Sequence, residues 1–279
     1  MKSKRILTVQ DISCVGQCSI TAALPVLSAC GIETAVLPSA VLSTHTAGFH
    51  GFTFRDLSAD IPEIIAHWQR ENIKFDAVYT GYLGSAGQID YVKTIFSTLL
   101  NEGGKKIVDP VMADRGRLYT GFDGSFVEKM KQLTGSADII LPNITEAALL
   151  TGNEYREEYG RDYIEKLISA LHNGGAPVVI LTGVGFTKDE SGIAVSENGN
   201  IHYYSHQKIA RTCHGTGDLY ASSFAGAYLN GQSVFDAAVT AADFTLSAIL
   251  NTVDDEEHWY GVKFEGVLPK LIERINLLK

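Results

Sequence analysis

Cysteine is scarce in this chain: Cys14, Cys18, Cys30 and Cys213 are all that 279 residues carry. Four thiols so unevenly spaced do not make a disulfide framework, and they fit reduced side chains in a cytoplasmic protein. Cys14 and Cys18 with His45 begin a zinc set, but no second CxxC or HxxxH pair completes four ligands. Basic residues are also in deficit. Lys and Arg number 23 against 32 Asp and Glu, a formal charge of −9, which argues against nucleic acid or an anionic membrane as a partner. No apolar run reaches the roughly 18 residues a membrane span needs, and the sequence leads into its first strand without a signal-peptide pattern. Two nucleotide signatures are missing as well. No GxGxxG follows the first strand, where Cys14-Val-Gly-Gln-Cys18 stands, and there is no Walker GxxxxGK(S/T). An anionic ligand must then be held by local features, within a chain that shows no internal repeat, low-complexity tract or linker.

What is present is apolar and regularly spaced. Hydrophobic residues make up 45% of the chain, enough to bury a large core as one α/β domain over residues 1–279. Short β-rich runs at 5–10, 34–37, 77–82, 106–108, 138–141 and 178–181 alternate with helical patterns at 19–29, 88–100, from 144, and at 163–171. This βαβ rhythm predicts a mostly parallel sheet whose ligands lie outside the carboxyl ends of the strands. Between Ser191 and His206 the rhythm changes to two short strands about Glu197-Asn-Gly-Asn200, a hairpin signal. Two long helices, at 216–228 and 234–250, complete the pattern.

The most informative stretch is Arg211-Thr-Cys-His-Gly-Thr-Gly-Asp-Leu-Tyr-Ala221. Its two glycines let the N–H groups of Gly215, Thr216 and Gly217 converge, and the unpaired donors and positive end of the following helix favour a phosphate there. Asp218 stands directly after that turn. A carboxylate held against bound phosphate costs Coulomb energy, so a reason for it is to take the proton from a hydroxyl attacking that phosphate. The competing reading is an aspartate that only caps the helix.

Other strands are followed by Asp11-Ile-Ser13, Tyr79-Thr-Gly-Tyr-Leu-Gly-Ser85, Asp109-Pro-Val-Met112, Leu141-Pro-Asn-Ile-Thr-Glu146 and Thr182-Gly183. Singly these are ordinary turn punctuation. Six polar clusters at one sheet edge make a site. Together with Leu42-Ser-Thr-His-Thr46 they carry a resemblance that spans nearly the whole chain. The sequence resembles the ribokinase-superfamily kinases and, within them, the pyridoxal kinases, which phosphorylate the 5′-hydroxymethyl group of vitamin B6 with ATP. The fold so implied is a ribokinase-like α/β single domain: three αβα layers, a mostly parallel central sheet and a small β-hairpin addition.

Carried onto this sequence, the resemblance implies that Asp218 is the catalytic base and that the amides of Gly215, Thr216 and Gly217 stabilise the transferring phosphoryl group. Asp109 and Glu146 match the acidic pair that positions Mg²⁺, partly through water. Asp109 also reads as an Asp-Pro turn, and Glu146 as the first-turn acid of a helix capped at Asn143. Asn143, Thr182, Gly183 and Thr216 match nucleotide-phosphate contacts. The segment Asp114-Arg-Gly-Arg-Leu-Tyr119 resembles the flap over ATP, with Arg115 or Arg117 facing phosphate or only solvent, and Lys188, Lys208 and Arg211 as weaker cations. On the acceptor side, His45 and Thr46 match a substrate-binding segment in which Thr44 replaces the usual Asn, and Tyr82 matches a residue packed on the flat ring. Asp11, with Ser13 after it, stands where the family often has Ser. That exchange points to a preference for pyridoxamine or a pyridinium. The resemblance further implies ATP as donor, a monovalent cation as an additional candidate, and a homodimer.

The nearest rival is hydroxymethylpyrimidine kinase. Its Gly-Thr-Gly turn typically carries Cys at the place of Asp218, although His214 and the short turn at Asp11 lean its way. A non-catalytic nucleotide sensor is the alternative from another class, and it leaves Asp218 without a purpose.

Overall fold

The computed structural model describes residues 4–211 and 213–276; Thr212, inside the eleven-residue stretch, lies outside the described residues. Its first half runs β1 (Arg5–Ser13), α1 (Ile20–Ala29), β2 (Glu33–Leu42), β3 (Phe54–Asp56), α2 (Ile61–Arg70), β4 (Phe75–Thr80), α3 (Ala86–Thr98) and β5 (Leu100–Val108). Then come β6 (Ala113–Asp114), β7 (Arg117–Leu118), α4 (Gly124–Thr134), β8 (Ile139–Ile140), α5 (Ile144–Thr151), α6 (Arg161–Asn173) and β9 (Val178–Thr182). The last part is β10 (Glu190–Glu197), β11 (Asn200–Gln207), α7 (Thr216–Leu229), α8 (Val234–Leu250) and α9 (Leu268–Asn276).

Among the described residues, nine strands form one sheet in the order β11-β10-β9-β8-β5-β4-β1-β2-β3. The six inner strands from β9 to β2 are parallel, and β3 at one edge and β10–β11 at the other run antiparallel to their neighbours. Parallel strands are covered on both faces, which is why they read as nearly continuous apolar runs. Alternate residues enter separate cores. Leu7, Val9, Val78, Val108, Val179 and Leu181 pack with residues of α2 to α6. Ile6, Ala77, Tyr79, Ile107, Val178 and Ile180 pack with α1, α7, α8 and α9. The result is the three-layer αβα arrangement expected, and no helix among the described residues is long and apolar enough to cross a membrane.

Local details depart from the sequence expectation in instructive ways. The hairpin forms about Asn198 and Gly199, both left-handed at φ 53° and 80°, the geometry an Asn-Gly hairpin turn requires. It is not an appendage, because β10 pairs with β9 and so extends the main sheet. The strand placed at 106–108 begins at Leu100, and the helix before it stops at Thr98. β1 does not end at Gln10 but runs to Ser13, with its register against β2 shifting between Gln10 and Ile12. The motif Asp11-Ile-Ser13 therefore lies within a bulged strand end rather than beyond it, and such bulges re-aim side chains beside sites.

Candidate active site

Two helix starts and a flap build the floor and walls of one cavity of about 500 Å³ at the carboxyl ends of the parallel strands. The first helix start is that of α7. Gly215 is its N-cap residue in the left-handed region at φ 76°, and a Cβ there would lie 2.4 Å from the Gln17 carbonyl oxygen. Only glycine fits that place. Nothing lies within 4 Å of a Cβ built on Gly217, so the backbone there is open to a ligand. Thr216 and Asp218 line the same cavity. Asp218 is half-buried, and burial pushes its carboxyl up to about 7, against the lowering effect of a hydrogen bond from the Ser19 backbone amide. A base near neutrality is what proton transfer at physiological pH needs.

The second helix start is that of α5, fixed by a capping box. The Asn143 side chain accepts from the Glu146 amide at 2.9 Å, and the Glu146 carboxylate accepts from the Asn143 amide at 2.9 Å. Glu146 also accepts from Met112 N–H at 3.1 Å, so both of its oxygens are engaged and only 3% of the residue is exposed. Asn143 turns its amide group to the Ala113 carbonyl at 2.8 Å, which ties the cap to the flap. The structure thus gives Asn143 and Glu146 a structural task in addition to a place in the cavity wall. Asp109 is buried beside them. Desolvation first, then the charges of Glu146 and Asp218, hold its carboxyl well above the usual range, and burial raises Glu146 as well. Two such carboxylates so close together suit a hard cation with oxygen ligands, which would relieve the repulsion.

The flap is the small hairpin β6–β7, turned at Arg115 (φ 49°) and Gly116 (φ 76°) and pinned where Gly116 N–H donates to the Thr145 hydroxyl at 3.0 Å. Asp114, Arg115 and Tyr119 line the cavity. Thr182 and Gly183 complete that side, with Thr182 N–H donating to the Pro142 carbonyl at 2.9 Å. Asp109, Asp114, Arg115, Tyr119, Asn143, Glu146, Thr182, Gly183 and the turn from Gly215 to Asp218 thus line one cavity, whereas Arg117, Lys188 and Lys208 do not. Arg211, a weaker candidate, is committed elsewhere: its guanidinium donates to the carbonyls of Thr252, Val253, Asp255 and His258 at 2.6–3.1 Å.

The acceptor residues Asp11, Ser13, His45, Thr46 and Tyr82 are not part of that wall, and they divide among themselves. Thr46 is exposed and Tyr82 half-buried, its ring 5.6 Å from Phe122. His45 is buried, with Nδ1 accepting from Ala47 N–H at 3.1 Å and Nε2 at 2.6 Å from the Tyr260 carbonyl, to which it must donate. Its ring meets that of His214, 5.2 Å away, and His214 does line the cavity. Asp11 is 4% exposed, and its two oxygens accept from the hydroxyls of Ser13 at 2.8 Å and Ser19 at 2.5 Å. Each Asp11 oxygen thus has a partner inside the protein, and the carboxylate is not among the residues that line the cavity.

Sequence reasoning passed over Cys213 and the face of α8 that carries Ala242, Thr245, Leu246 and Ile249, all in the cavity wall. A run of small and apolar residues on a long helix reads as core, and nothing in it marks a ligand. It also passed over the segment around Trp259 and Tyr260, which packs on Phe49 and closes over His45.

The chain matches the family model described as phosphomethylpyrimidine kinase over residues 14–262. It is 30% identical over 246 residues to the pyridoxal kinase PdxY of Actinobacillus pleuropneumoniae serotype 5b, a match covering 84% of each chain. The hydroxymethylpyrimidine/phosphomethylpyrimidine kinase of Bacillus subtilis is 29% identical over 225 residues, covering 77% of this chain and 78% of that one. Among solved structures, the pyridoxal kinase of Lactobacillus plantarum superposes with a TM-score of 0.89 at 34% identity, covering 97% of both chains. A candidate phosphomethylpyrimidine kinase of Bacteroides thetaiotaomicron, in its orthorhombic form with pyridoxal, gives 0.91 at 33% identity, covering 99% of this chain and 96% of that one.

Proposed function

The chain belongs to the phosphomethylpyrimidine kinase family, in the ribokinase-like superfamily, and on that premise we propose that it is a pyridoxal kinase-type phosphotransferase. It transfers the γ-phosphoryl group of ATP to the 5′-hydroxymethyl group of pyridoxal, pyridoxine or pyridoxamine, giving the 5′-phosphate and ADP. The observation that carries this reading is Asp218, raised to about 7 at the head of α7, directly after Gly215, Thr216 and Gly217, which line the same cavity.

The residues divide the work. The amides of Gly215, Thr216 and Gly217, with the positive end of α7, hold the phosphoryl oxygens as their charge is redistributed. Asp218 accepts the hydroxyl proton as the new O–P bond forms and the bond from the γ-phosphorus to the β,γ-bridging oxygen of ATP breaks, leaving ADP. A primary alcohol ionises far above an aspartate, so Asp218 takes the proton during transfer and does not store an alkoxide beforehand. Asp109 and Glu146, as an all-oxygen pair with free lone pairs, are the residues that would hold Mg²⁺ through water. That ion, when bound, neutralises phosphate charge. Thr182, Gly183, Asn143, Asp114 and Tyr119 hold the nucleotide phosphates and flap, and the apolar face of α8 fits the base. His45, Thr46 and Tyr82 shape the acceptor side, which reaches the cavity through His214. Asp11 and Ser13 belong to that side through the loop they hold. We further propose a homodimer and a monovalent-cation requirement, tested by light scattering and by turnover with and without potassium ions.

The second reading, hydroxymethylpyrimidine as acceptor, is favoured by the family match and the Bacillus subtilis relative. One assay separates the two: ADP release with ATP, Mg²⁺ and, in turn, each B6 vitamer and hydroxymethylpyrimidine. Release only with the vitamers is expected. Release only with the pyrimidine would replace the acceptor, and none with any of them would leave the nucleotide sensor.

A further inference from the structure

An irregular stretch between α8 and α9 borders the loop that carries His45, and a side chain from outside the stretch holds it in shape. Its base ties itself: the Lys263 amide donates to the Thr252 hydroxyl at 2.9 Å, and the Asn251 side chain to the Lys263 carbonyl at 2.8 Å. Between these ends there is neither helix nor strand, so the carbonyls need other donors. Arg211 supplies them. Its Nη1 donates to the Thr252 and Val253 carbonyls at 2.7 and 2.8 Å, and its Nη2 to those of Asp255 and His258 at 2.6 and 3.1 Å. The guanidinium thus sits just past the C-terminus of α8, where a cation also suits the negative end of the helix.

The tip of the stretch reaches the acceptor side. There the Tyr260 carbonyl accepts from His45 Nε2 at 2.6 Å, and the Trp259 ring lies 4.7 Å from that of Phe49. A Cβ on Gly48 would lie 2.8 Å from the Trp259 ring, and one on Gly261 would lie 2.7 Å from the Gly16 carbonyl oxygen. His258 Nε2 donates to the Gln17 side-chain oxygen at 2.8 Å. His45 in turn faces His214 in the cavity wall, with ring centres 5.2 Å apart. Arg211 stands shortly before His214 and Gly215 in the sequence, so it joins the phosphoryl-binding turn to the loop of His45.

We propose that Arg211 is a positioning residue for the acceptor: by holding the carbonyls of 252–258 it sets the Trp259–Tyr260 tip, and through the tip the His45–Phe49 loop, without touching either substrate. The proposal rests on His45 and its loop lying on the acceptor side. Arg211→Lys keeps the charge but removes the planar fork that spans these carbonyls. The base of the stretch stays tied through Asn251, Thr252 and Lys263, so the tip loosens while the fold holds.

The test measures kcat and both KM values, together with the fluorescence of Trp259. That ring is 44% exposed, and the other tryptophan, Trp68, packs on Phe75 in the opposite layer, so a Trp68→Phe background isolates the signal. Arg211→Lys is expected to raise the acceptor KM by about 10- to 30-fold, with kcat and the KM for ATP within about three-fold. Acrylamide quenching of Trp259 is expected to rise at least about 1.5-fold in the same variant, as the tip leaves Phe49. Trp259→Ala, which leaves Arg211 in place and removes the ring contact, is expected to raise the acceptor KM by about 3- to 10-fold. It carries the test should Arg211→Lys not fold. An equal rise in both KM values, or a loss of kcat alone, would overturn the proposal in favour of a role at the catalytic turn. Stronger quenching with an unchanged acceptor KM would overturn it by placing the tip away from the acceptor. The acceptor used is whichever compound releases ADP with the wild type. If that is hydroxymethylpyrimidine alone, the vitamer reading fails and the same comparison, made with the pyrimidine, still decides the role of Arg211. Release with none of them would overturn the phosphotransferase reading and this proposal with it.

Discussion

As the proposed base, Asp218 has to satisfy two opposing demands. Beside phosphate a carboxylate is repelled, and as a base it must be ionised. Burial resolves this by lifting its pKa to about 7, while the Ser19 amide keeps it from rising further. The acid limb of kcat/KM should therefore lie near pH 7, activity falling as pH drops below it because the base is already protonated. Asp218→Asn should lower kcat by about 10²–10⁴, roughly 3–5 kcal/mol, leave ATP affinity nearly intact and abolish that limb. A pH–rate series on both proteins checks it; an acid limb that persists in the variant assigns it to another group. At this scale the sequence was most legible where glycine and aspartate stand together, since few chemistries need both. It was least legible at Asp11 and His45. Each is a polar side chain near the site, and only coordinates reveal that Ser13, Ser19, Ala47 and Tyr260 already satisfy them.

Among the elements, α5 and the flap act as one unit because Asn143 serves both. Its side chain caps the helix through Glu146 N–H and reaches the Ala113 carbonyl at the base of β6. Asn143→Ala should cost about 1–2 kcal/mol of stability from the lost cap, measurable by urea unfolding. It should also raise the KM for ATP more than that for the acceptor if the untied hairpin borders the proposed nucleotide side; an equal rise in both would overturn that assignment. The sequence announced α5 by the Asn-x-x-Glu spacing, and the helix expected at 234–250 is α8, whose start the Ser233 side chain caps by accepting from the Asp236 amide. It did not announce β3. Three exposed residues, Phe54, Arg55 and Asp56, carry neither alternation nor burial, and only pairing with β2 makes them a strand. The long β5 was hidden for a related reason: Gly103 and Gly104 break the apolar pattern, so only its buried end at Ile107 and Val108 was visible.

For the molecule as a whole, the site concentrates buried negative charge, and stability must respond to that. The folded Asp218 has a pKa near 7 against 3.8 for the free side chain, so between those values the folded chain holds a proton that the unfolded chain has released. The stabilisation is complete below about pH 4 and is lost as pH rises through about 7, under about 4 kcal/mol in all since solvent reaches part of the group. Asp109 and Glu146 are raised as well and act in the same direction. A divalent cation reverses the balance by favouring the ionised forms, and its binding must release protons. Two melting series follow, one in chelator and one in excess Mg²⁺. The chelated protein should melt lower at about pH 8 than at about pH 6, and the gain from Mg²⁺ should be larger at the higher pH. Asp109→Asn should shrink both differences. A Mg²⁺ gain independent of pH would mean that the cation binds away from these carboxylates, and the repulsion between them would then need another partner to explain it.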